Sequence, residues 1–460
     1  MMSRPRTAAA TALVLVSLLA LGAVAAAAPQ IKRVKDISPG PSSGLNDEGV
    51  EFTRLGPWLL FAAGDGVRGL ELWRTDGTRK GTKRVKDINP GPGHSFPRDF
   101  VTLGGRLFFH ADDDTRGSEL WRTDGTRKGT KRVKDINPGP GDSGPQRLTR
   151  LGDLILFSAN DGARGDELWR TDGTTKGTRR VKDINPGAAH SSPANFVRLG
   201  KALLFSATHP TLSRELWRTD GTRKGTKLVK DVRAGPGDAT PDDLTRLGAR
   251  VLFSATHDVT GRELWRTDGT RKGTRFVKDI SPGGDSFPDD LTRFGDMVLL
   301  HADVGPSGRE LWRTDGTLKG TRRVKDINPG PGDSDPGDFA RFRRRILFQA
   351  NDGTRGSELW RTDGTTKGTR RVKDINPGPG SSTPDKFARL EDWLVFEADD
   401  GIRGAELWRT DGTPKGTRRL RDLNPGPGDA YPGYFTPLGG WLVFGANNGS
   451  AGYELWKLRR

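Results

Sequence analysis

The chain has 460 residues with no cysteine, six histidines and three methionines, and its formal net charge is +17. The lack of cysteine excludes disulfides and thiol chemistry, and so few histidines argue against a His/Cys metal centre. The basic excess points to anionic partners or to a solvated basic surface, and its distribution along the chain decides between them.

Residues 1–28 read as a secretory signal peptide. Arg4 and Arg6 give a positive start, Leu13 to Val24 an apolar stretch, and Ala23 to Ala28 a region of small residues for cleavage. Pro5 separates the arginines, which argues against a twin-arginine signal, and no cysteine follows to carry a lipid anchor. An uncleaved membrane anchor is the competing reading. No second long apolar run occurs, so no transmembrane segment is expected in the mature chain. The expected location is outside the cell or in the periplasm.

Residues 29–460 read as one domain of nine repeats. Glu-Leu-Trp recurs at Glu71, Glu119, Glu167, Glu215, Glu263, Glu310, Glu358, Glu406 and Glu454, at intervals of 48 residues with one of 47. Such a period means one supersecondary unit stacked on copies of itself. The second unit shows the pattern, with predicted strands A (Phe100 to Leu103), B (Leu107 to Ala111), C (Glu119 to Thr123) and D (Lys131 to Ile136). Each is rich in β-branched, leucine or aromatic residues and bounded by Gly or Asp turns. No segment keeps a helical period over ten positions. The prolines of Asn137 to Ser143 end the ladder before the next unit. Sixty-three glycines and thirty prolines fall at fixed offsets and so mark turns, not disorder.

Four-stranded meanders at this period predict an all-β fold, a β-propeller of nine blades. Another closed or solenoid-like β-repeat array is the alternative. The chain opens with a lone strand D, Lys32 to Ile37, and ends with a lone strand C, Glu454-Leu455-Trp456. Pairing of the two would complete the ninth blade and leave no open sheet edge.

Trp73, Trp121, Trp169, Trp217, Trp265, Trp312, Trp360, Trp408 and Trp456 occupy one position of strand C. They read as a core between blades, with exposed stacking platforms for sugars as the competing reading. The Asp-Gly-Thr copies, such as Asp124 to Thr126, read as turn chemistry, and Asp135 as an acceptor for amides in its own loop. No dense Asp spacing supports calcium, so no cofactor is expected beyond a weak calcium signal.

Eight copies of Trp-Arg-Thr-Asp-Gly-Thr follow Glu-Leu, with Lys-Gly-Thr and Val-Lys-Asp-Ile-Asn-Pro-Gly after them. In these motifs the chain resembles the bacterial ELWxxDGT-repeat proteins over essentially its whole mature length. The resemblance implies a secreted or surface repeat protein and carries no catalytic residues. The pattern is broken at Arg233-Ala234-Gly235 and between Thr208 and Ser213, where single loops are expected to differ.

Charge separates the two ends of a blade. From Glu119 to Asp135, six basic residues face three acidic ones, whereas Ile136 to Asp166 is slightly acidic. The candidate polyanion-binding residues are Arg79, Lys80, Arg127, Lys128, Lys131, Arg132, Lys176, Arg179 and Arg180, on strand D and the turn before it. The B–C turns (Gly64 to Leu70, Asp112 to Ser118, Thr208 to Arg214, Val304 to Arg309 and Asn447 to Tyr453) vary and offer a second binding face or relaxed loops. The expected function is a non-enzymatic binding or scaffold propeller, a monomer that recognises acidic polysaccharide or cell-envelope polymers and no specific nucleic acid. The alternative is a glycan-acting hydrolase with an axial carboxylate site, for which Glu397 and then Glu391 are the unit-specific acids.

Overall fold

The computed structural model describes residues 28–46 and 49–460. The signal-peptide reading therefore lies outside the described residues except for Ala28. Among those described there are thirty-six strands, from β1 (Gln30–Lys35) to β36 (Tyr453–Arg459), and no helix. They form nine four-stranded antiparallel sheets around an axis, a nine-bladed β-propeller.

In blade two the strands are β6 (Arg98–Leu103), β7 (Arg106–Asp112), β8 (Ser118–Thr123) and β9 (Lys131–Lys134), paired in sequence order. Neighbouring A strands approach one another, so A is innermost and D lies at the rim. Strand D is shorter than the sequence predicts: Asp135 and Ile136 have left the ladder. Strand A begins two residues earlier. Its register shifts between Arg98 and Val101, and Asp99 sits at φ 56° within this bulge. The hydrophobic signal of the strand starts only at Phe100, which is why its first two residues escape a pattern-based reading.

Blade nine takes three strands from the C-terminus and one from the N-terminus. β1 pairs antiparallel with β36, with Ile31 opposite Leu458 and Arg33 opposite Trp456. The carboxylate of Glu454 accepts hydrogen bonds from the amides of Ile37 at 2.7 Å and Ser38 at 3.1 Å.

Nine apolar clusters fill the nine spaces between blades. The one between blades nine and one joins Val34, Ile37, Tyr453 and Leu455 to Leu59, Phe61 and Trp73. Strand B supplies most of the fully buried bulk, including Phe109, Phe157, Phe205 and Phe253. Burial of each such ring stabilises the fold by about 1.5–3 kcal/mol. Each strand-C tryptophan lies in one of these clusters and is 4–7% exposed. They are core residues, and the reading of exposed sugar platforms is overturned by their burial.

The lysine of each Val-Lys-Asp segment crosses to the following blade. Lys134 Nζ donates to Thr178 O at 2.9 Å and lies 5.7 Å from the Trp169 ring centre. The arginine of Trp-Arg-Thr makes a second crossing, with Arg122 Nη1 donating to Gly173 O at 2.7 Å. Lys457 makes the corresponding contact from blade nine to Gly77 of blade one, at 2.7 Å.

Candidate functional site: the basic face and the axial strands

The hairpin joining strands C and D satisfies itself. Asp124 Oδ1 accepts from the Thr126 amide at 2.9 Å and hydroxyl at 2.7 Å, and the Gly125 amide donates to Thr123 Oγ1 at 2.9 Å. A Cβ on Gly129 would stand 1.9 Å from Asp124 Oδ1, so only glycine fits there. The Asp-Gly-Thr carboxylates are therefore turn elements. The side chains at positions 127 and 128 take no part in these bonds and point to solvent.

Of the nine predicted basic residues, Arg79, Lys80, Arg127, Lys128, Lys131, Lys176 and Arg179 are exposed. Arg132 and Arg180 are half-buried and paired, with Asp113 at 3.0 Å and with Asp161 at 2.9 Å. These two leave the candidate set. Arg122 and Lys134 are likewise committed to the neighbouring blade, so the free positive charge of a hairpin is smaller than its composition indicates. Equivalent exposed residues recur as Arg223, Lys224 and Lys227, then Arg271, Lys272 and Arg275, with Lys319, Arg322, Lys367, Arg370, Lys415 and Arg418 further on. Eight blades carry such a hairpin. The ninth does not, because its C and D strands come from opposite chain ends.

Sequence reasoning missed a second basic ring. Arg54, Arg150, Arg198, Arg246, Arg293, Arg341 and Arg389 are exposed near the ends of the A strands. Several are held in place by their own A–B turn, as Arg150 Nε is by Gly152 O at 2.9 Å and Arg246 Nε by Gly248 O at 3.0 Å. The A–B turns lie on the same side of the disc as the C–D hairpins: Trp58 of the first A–B hairpin abuts Gly125. One face thus carries an outer ring of Lys and Arg and an inner ring of Arg. The signal was available, an arginine two residues before the A–B turn in most units.

On the opposite face the B–C turns are less varied than the sequence suggests. In blades one, two, three, seven and eight an aspartate of the turn pairs with the strand-D arginine: Asp65–Arg84, Asp113–Arg132, Asp161–Arg180, Asp352–Arg371 and Asp400–Arg419, at 2.9–3.5 Å. The Gly64 to Leu70 and Asp112 to Ser118 turns therefore share one construction. Between Thr208 and Ser213 the Asp-Gly turn is replaced by a tighter hairpin, and Ser213 takes φ 52°.

The repeat glutamates have a role that sequence reasoning did not assign. Glu119 is fully buried and accepts from the amides of Ile136 at 2.8 Å and Asn137 at 3.0 Å. Glu263 accepts from Ile280 at 2.8 Å, Ser281 at 3.3 Å and Ser286 Oγ at 2.7 Å. These carboxylates turn the chain from strand D toward the next blade. The role expected of Asp135 is thus taken by Glu119, and Asp135 Oδ1 meets no donor. The arrangement survives at Arg233, whose amide reaches Glu215 at 3.2 Å. Burial pushes Glu119 and Glu263 up to about 7, against the pull of these hydrogen bonds.

The axial strands hold the unit-specific acids. The left-handed bulge position is Asp99, Arg147, Asn195, Asp243, Asp290, Asp338, Lys386 and Tyr434 in successive blades. Asp99 Oδ1 accepts from the Arg147 amide at 3.0 Å, and Asp243 accepts from the Leu291 amide. Asp338 accepts from Gln349 Nε2, and burial, with the nearby Asp385 charge, raises it to about 7. Burial raises Asp243 to about 6. Glu397 is engaged by Lys386 Nζ at 2.6 Å, so the leading catalytic candidate is an ion-paired residue. Glu391 lies in the A–B turn, six residues away along an extended strand, roughly 20 Å. Glu391 and Glu397 therefore cannot act as a glycosidase pair, which needs about 5–10 Å. Among the described residues no group of three or more His, Asp or Glu is placed to hold a metal ion. No helix among them is long and apolar enough to cross a membrane.

No family model matches the chain, and no curated protein matches it. Solved structures that match the chain include the computationally designed Ika8 protein, at 15% identity over 79% of this chain and 97% of that one, with a TM-score of 0.43. A puromycin hydrolase matches at 14% identity over 76% of this chain and 58% of its own, with a TM-score of 0.38. One of two prolyl endopeptidases matches at 15% identity over 76% and 54%, with a TM-score of 0.43. The chain thus spans little more than half the length of either enzyme.

Proposed function

We propose that this is an exported, non-enzymatic binding or scaffold propeller whose basic face engages acidic polysaccharide or other anionic polymers of the cell envelope. The observation that carries the reading is the exposure of unpaired Arg and Lys at the tips of eight equivalent hairpins. Weak contacts repeated on one rigid disc act together on a polymeric ligand, so a long polyanion gains far more than a single acidic sugar. The inner arginines extend the same face toward the axis. Attraction of this kind acts over about 8–10 Å and weakens as salt rises.

The reading is tested by retention on immobilised heparin and by titration with an acidic capsular glycan. Binding at low ionic strength, and a steep loss between about 50 and 200 mM salt, are expected from the release of several counterions. No retention at low salt, or retention that salt does not change, would contradict it.

The hydrolase alternative would use the axial carboxyls Asp338 and Asp385, where burial and the Asp385 charge raise Asp338 to about 7. Activity lost in Asp338→Asn and present in the parent on any glycan would favour it.

A further inference from the structure

Each C–D turn glycine faces a recess at the A–B end of the preceding blade, and the residue filling that recess differs from blade to blade. Measured from where a Cβ would stand, Trp58 lies 2.9 Å from the Gly125 position, Phe108 2.8 Å from Gly173 and Leu154 2.9 Å from Gly221. Met297 Sδ lies 2.8 Å from the Gly364 position. Opposite Gly269, between blades four and five, the nearest atom is Leu199 Cδ2 at 3.5 Å. A cavity of about 290 Å³ remains there, lined by Leu199, Lys201, Ala202, Leu204, Arg218, Asp220, Asp268 and Gly269 itself.

The protein shows in its other blades what such a recess accepts. Ala202 stands where blade one carries Trp58, which fills the recess opposite Gly125; Trp393 and Trp441 hold the same position in blades eight and nine, but Trp393 faces no C–D turn and Leu438, not Trp441, is nearest Gly77. In blade one the Arg74 guanidinium lies 4.2 Å from the Trp58 ring centre while its Nη1 donates to Gly125 O at 2.7 Å. In blade eight Arg409 lies 3.6 Å from the Trp393 ring centre. Arg218 is anchored as Arg74 is, by Nη1 donating to Gly269 O at 3.2 Å, with no ring on its guanidinium. The cavity thus lies where blade one places the Trp58 indole.

We propose that this recess binds a planar aromatic ring bearing a hydrogen-bond donor, of the size of an indole. The ring lies against the Arg218 guanidinium, its edges meet Leu199 and Leu204, and its N–H is directed to a carboxylate of Asp220 or Asp268 at the rim. Stacking on arginine and burial of an apolar ring supply affinity. The carboxylates accept from a ring that carries a donor, while Lys201 and Arg218 balance their charge. The recess between blades five and six, of about 500 Å³, has Arg250 at the position of Ala202 and does not offer the same bare surface.

The test is titration of the whole protein with indole, by calorimetry and by saturation-transfer NMR, beside benzoate as an aromatic anion without a donor. One saturable indole site and weaker benzoate binding are expected. Ala202→Trp restores the chain's own ring and should abolish that site, with circular dichroism confirming the fold. Arg218→Lys keeps the charge but not the plane and should weaken binding about fivefold. Leu154→Ala empties the recess between blades three and four and should raise the stoichiometry from one to two. N-acetyl-tryptophanamide bound as well as free indole marks a protein side chain as the source of the ring, and indole bound alone marks a small molecule. If Ala202→Trp does not fold, Arg218→Lys and Leu154→Ala decide the matter. No saturable indole binding, or binding unchanged in both Arg218→Lys and Ala202→Trp, would overturn the proposal.

Discussion

The outer hairpin of a blade and its innermost strand solve the problem of an irregular backbone in opposite ways. In the C–D hairpin, side chains satisfy the backbone: Thr123, Asp124, Thr126 and Thr130 all bond within the turn, and the sequence is repeated almost unchanged. In strand A the backbone is just as irregular, with a left-handed residue in eight blades, yet that residue is Asp, Arg, Asn, Lys or Tyr. There the fold imposes the conformation, at a strain of roughly 1–3 kcal/mol for each non-glycine residue. The side chain is then free to differ. Repetition therefore marks the part that holds the ring together, and variation marks the axis, where blades acquire individual chemistry.

The sharpest way to break this division is to remove a repeated element. Deleting Ile31 to Ile37 takes away most of β1 and the Ile37 amide held by Glu454, and it displaces the second such amide, Ser38, so the seam between blades nine and one loses a strand and its cap. The expected result is a large fall in melting temperature or failure to fold. Wild-type stability would refute the structural role given to the terminal pairing.

A smaller loss is expected at one interior tryptophan. Trp265 is 4% exposed, and Trp265→Ala should cost about 3–5 kcal/mol in denaturant unfolding. The parent's fluorescence should be blue-shifted, as for buried indoles. By contrast, Asn195→Ala, at an exposed axial bulge position, removes only two long hydrogen bonds, to Pro241 O at 3.3 Å and Ser206 Oγ at 3.4 Å, and should cost only about 1 kcal/mol.

The repeat glutamates predict a pH dependence. Glu71, Glu119, Glu167, Glu215, Glu263, Glu406 and Glu454 are each pushed up to about 7 by burial, from an ordinary value of 4.5. The folded protein then binds these protons more tightly than the unfolded chain. Their contribution to stability is complete below about 4.5 and is lost as pH rises through about 7. His110 acts in the other direction: burial lowers it from 6.5 to about 4, so it destabilises the fold as pH falls through that window. His209 is lowered by burial as well, but two histidines oppose many glutamates, and the melting temperature should rise on going from pH 8 to pH 6. Glu263→Gln should flatten this slope slightly; a melting temperature that falls between pH 8 and 6 would refute the assignment.

Much of the ring was legible because its repeated residues each perform one repeated task. The period, the four strands, the tryptophan core and the Asp-Gly-Thr turns all follow from side-chain alternation and turn chemistry. Glu119 was not read because a buried carboxylate that caps amides seventeen and eighteen residues away leaves no local pattern. Its recurrence in every copy, on a strand otherwise apolar, was the available signal. Arg132 and Arg180 were misread because their partners, Asp113 and Asp161, lie nineteen residues upstream across the blade. The bulge in strand A was hidden for a related reason: its left-handed position is Asp or Asn in five of eight blades, a preference that Arg147, Lys386 and Tyr434 interrupt.

The basic face remains the central functional claim, and graded charge reversal tests it most directly. Salt elution from heparin would be measured for the parent, for a variant with Arg127, Lys128 and Lys131 changed to Glu, and for one with the exposed hairpin bases of blades one to three reversed together (Arg79, Lys80, Lys83, Arg127, Lys128, Lys131, Lys176 and Arg179). The account predicts a modest decrease in eluting salt for the first variant and near-complete loss of retention for the second, with both folded. Equal elution of all three, or no retention of the parent at low salt, would contradict it.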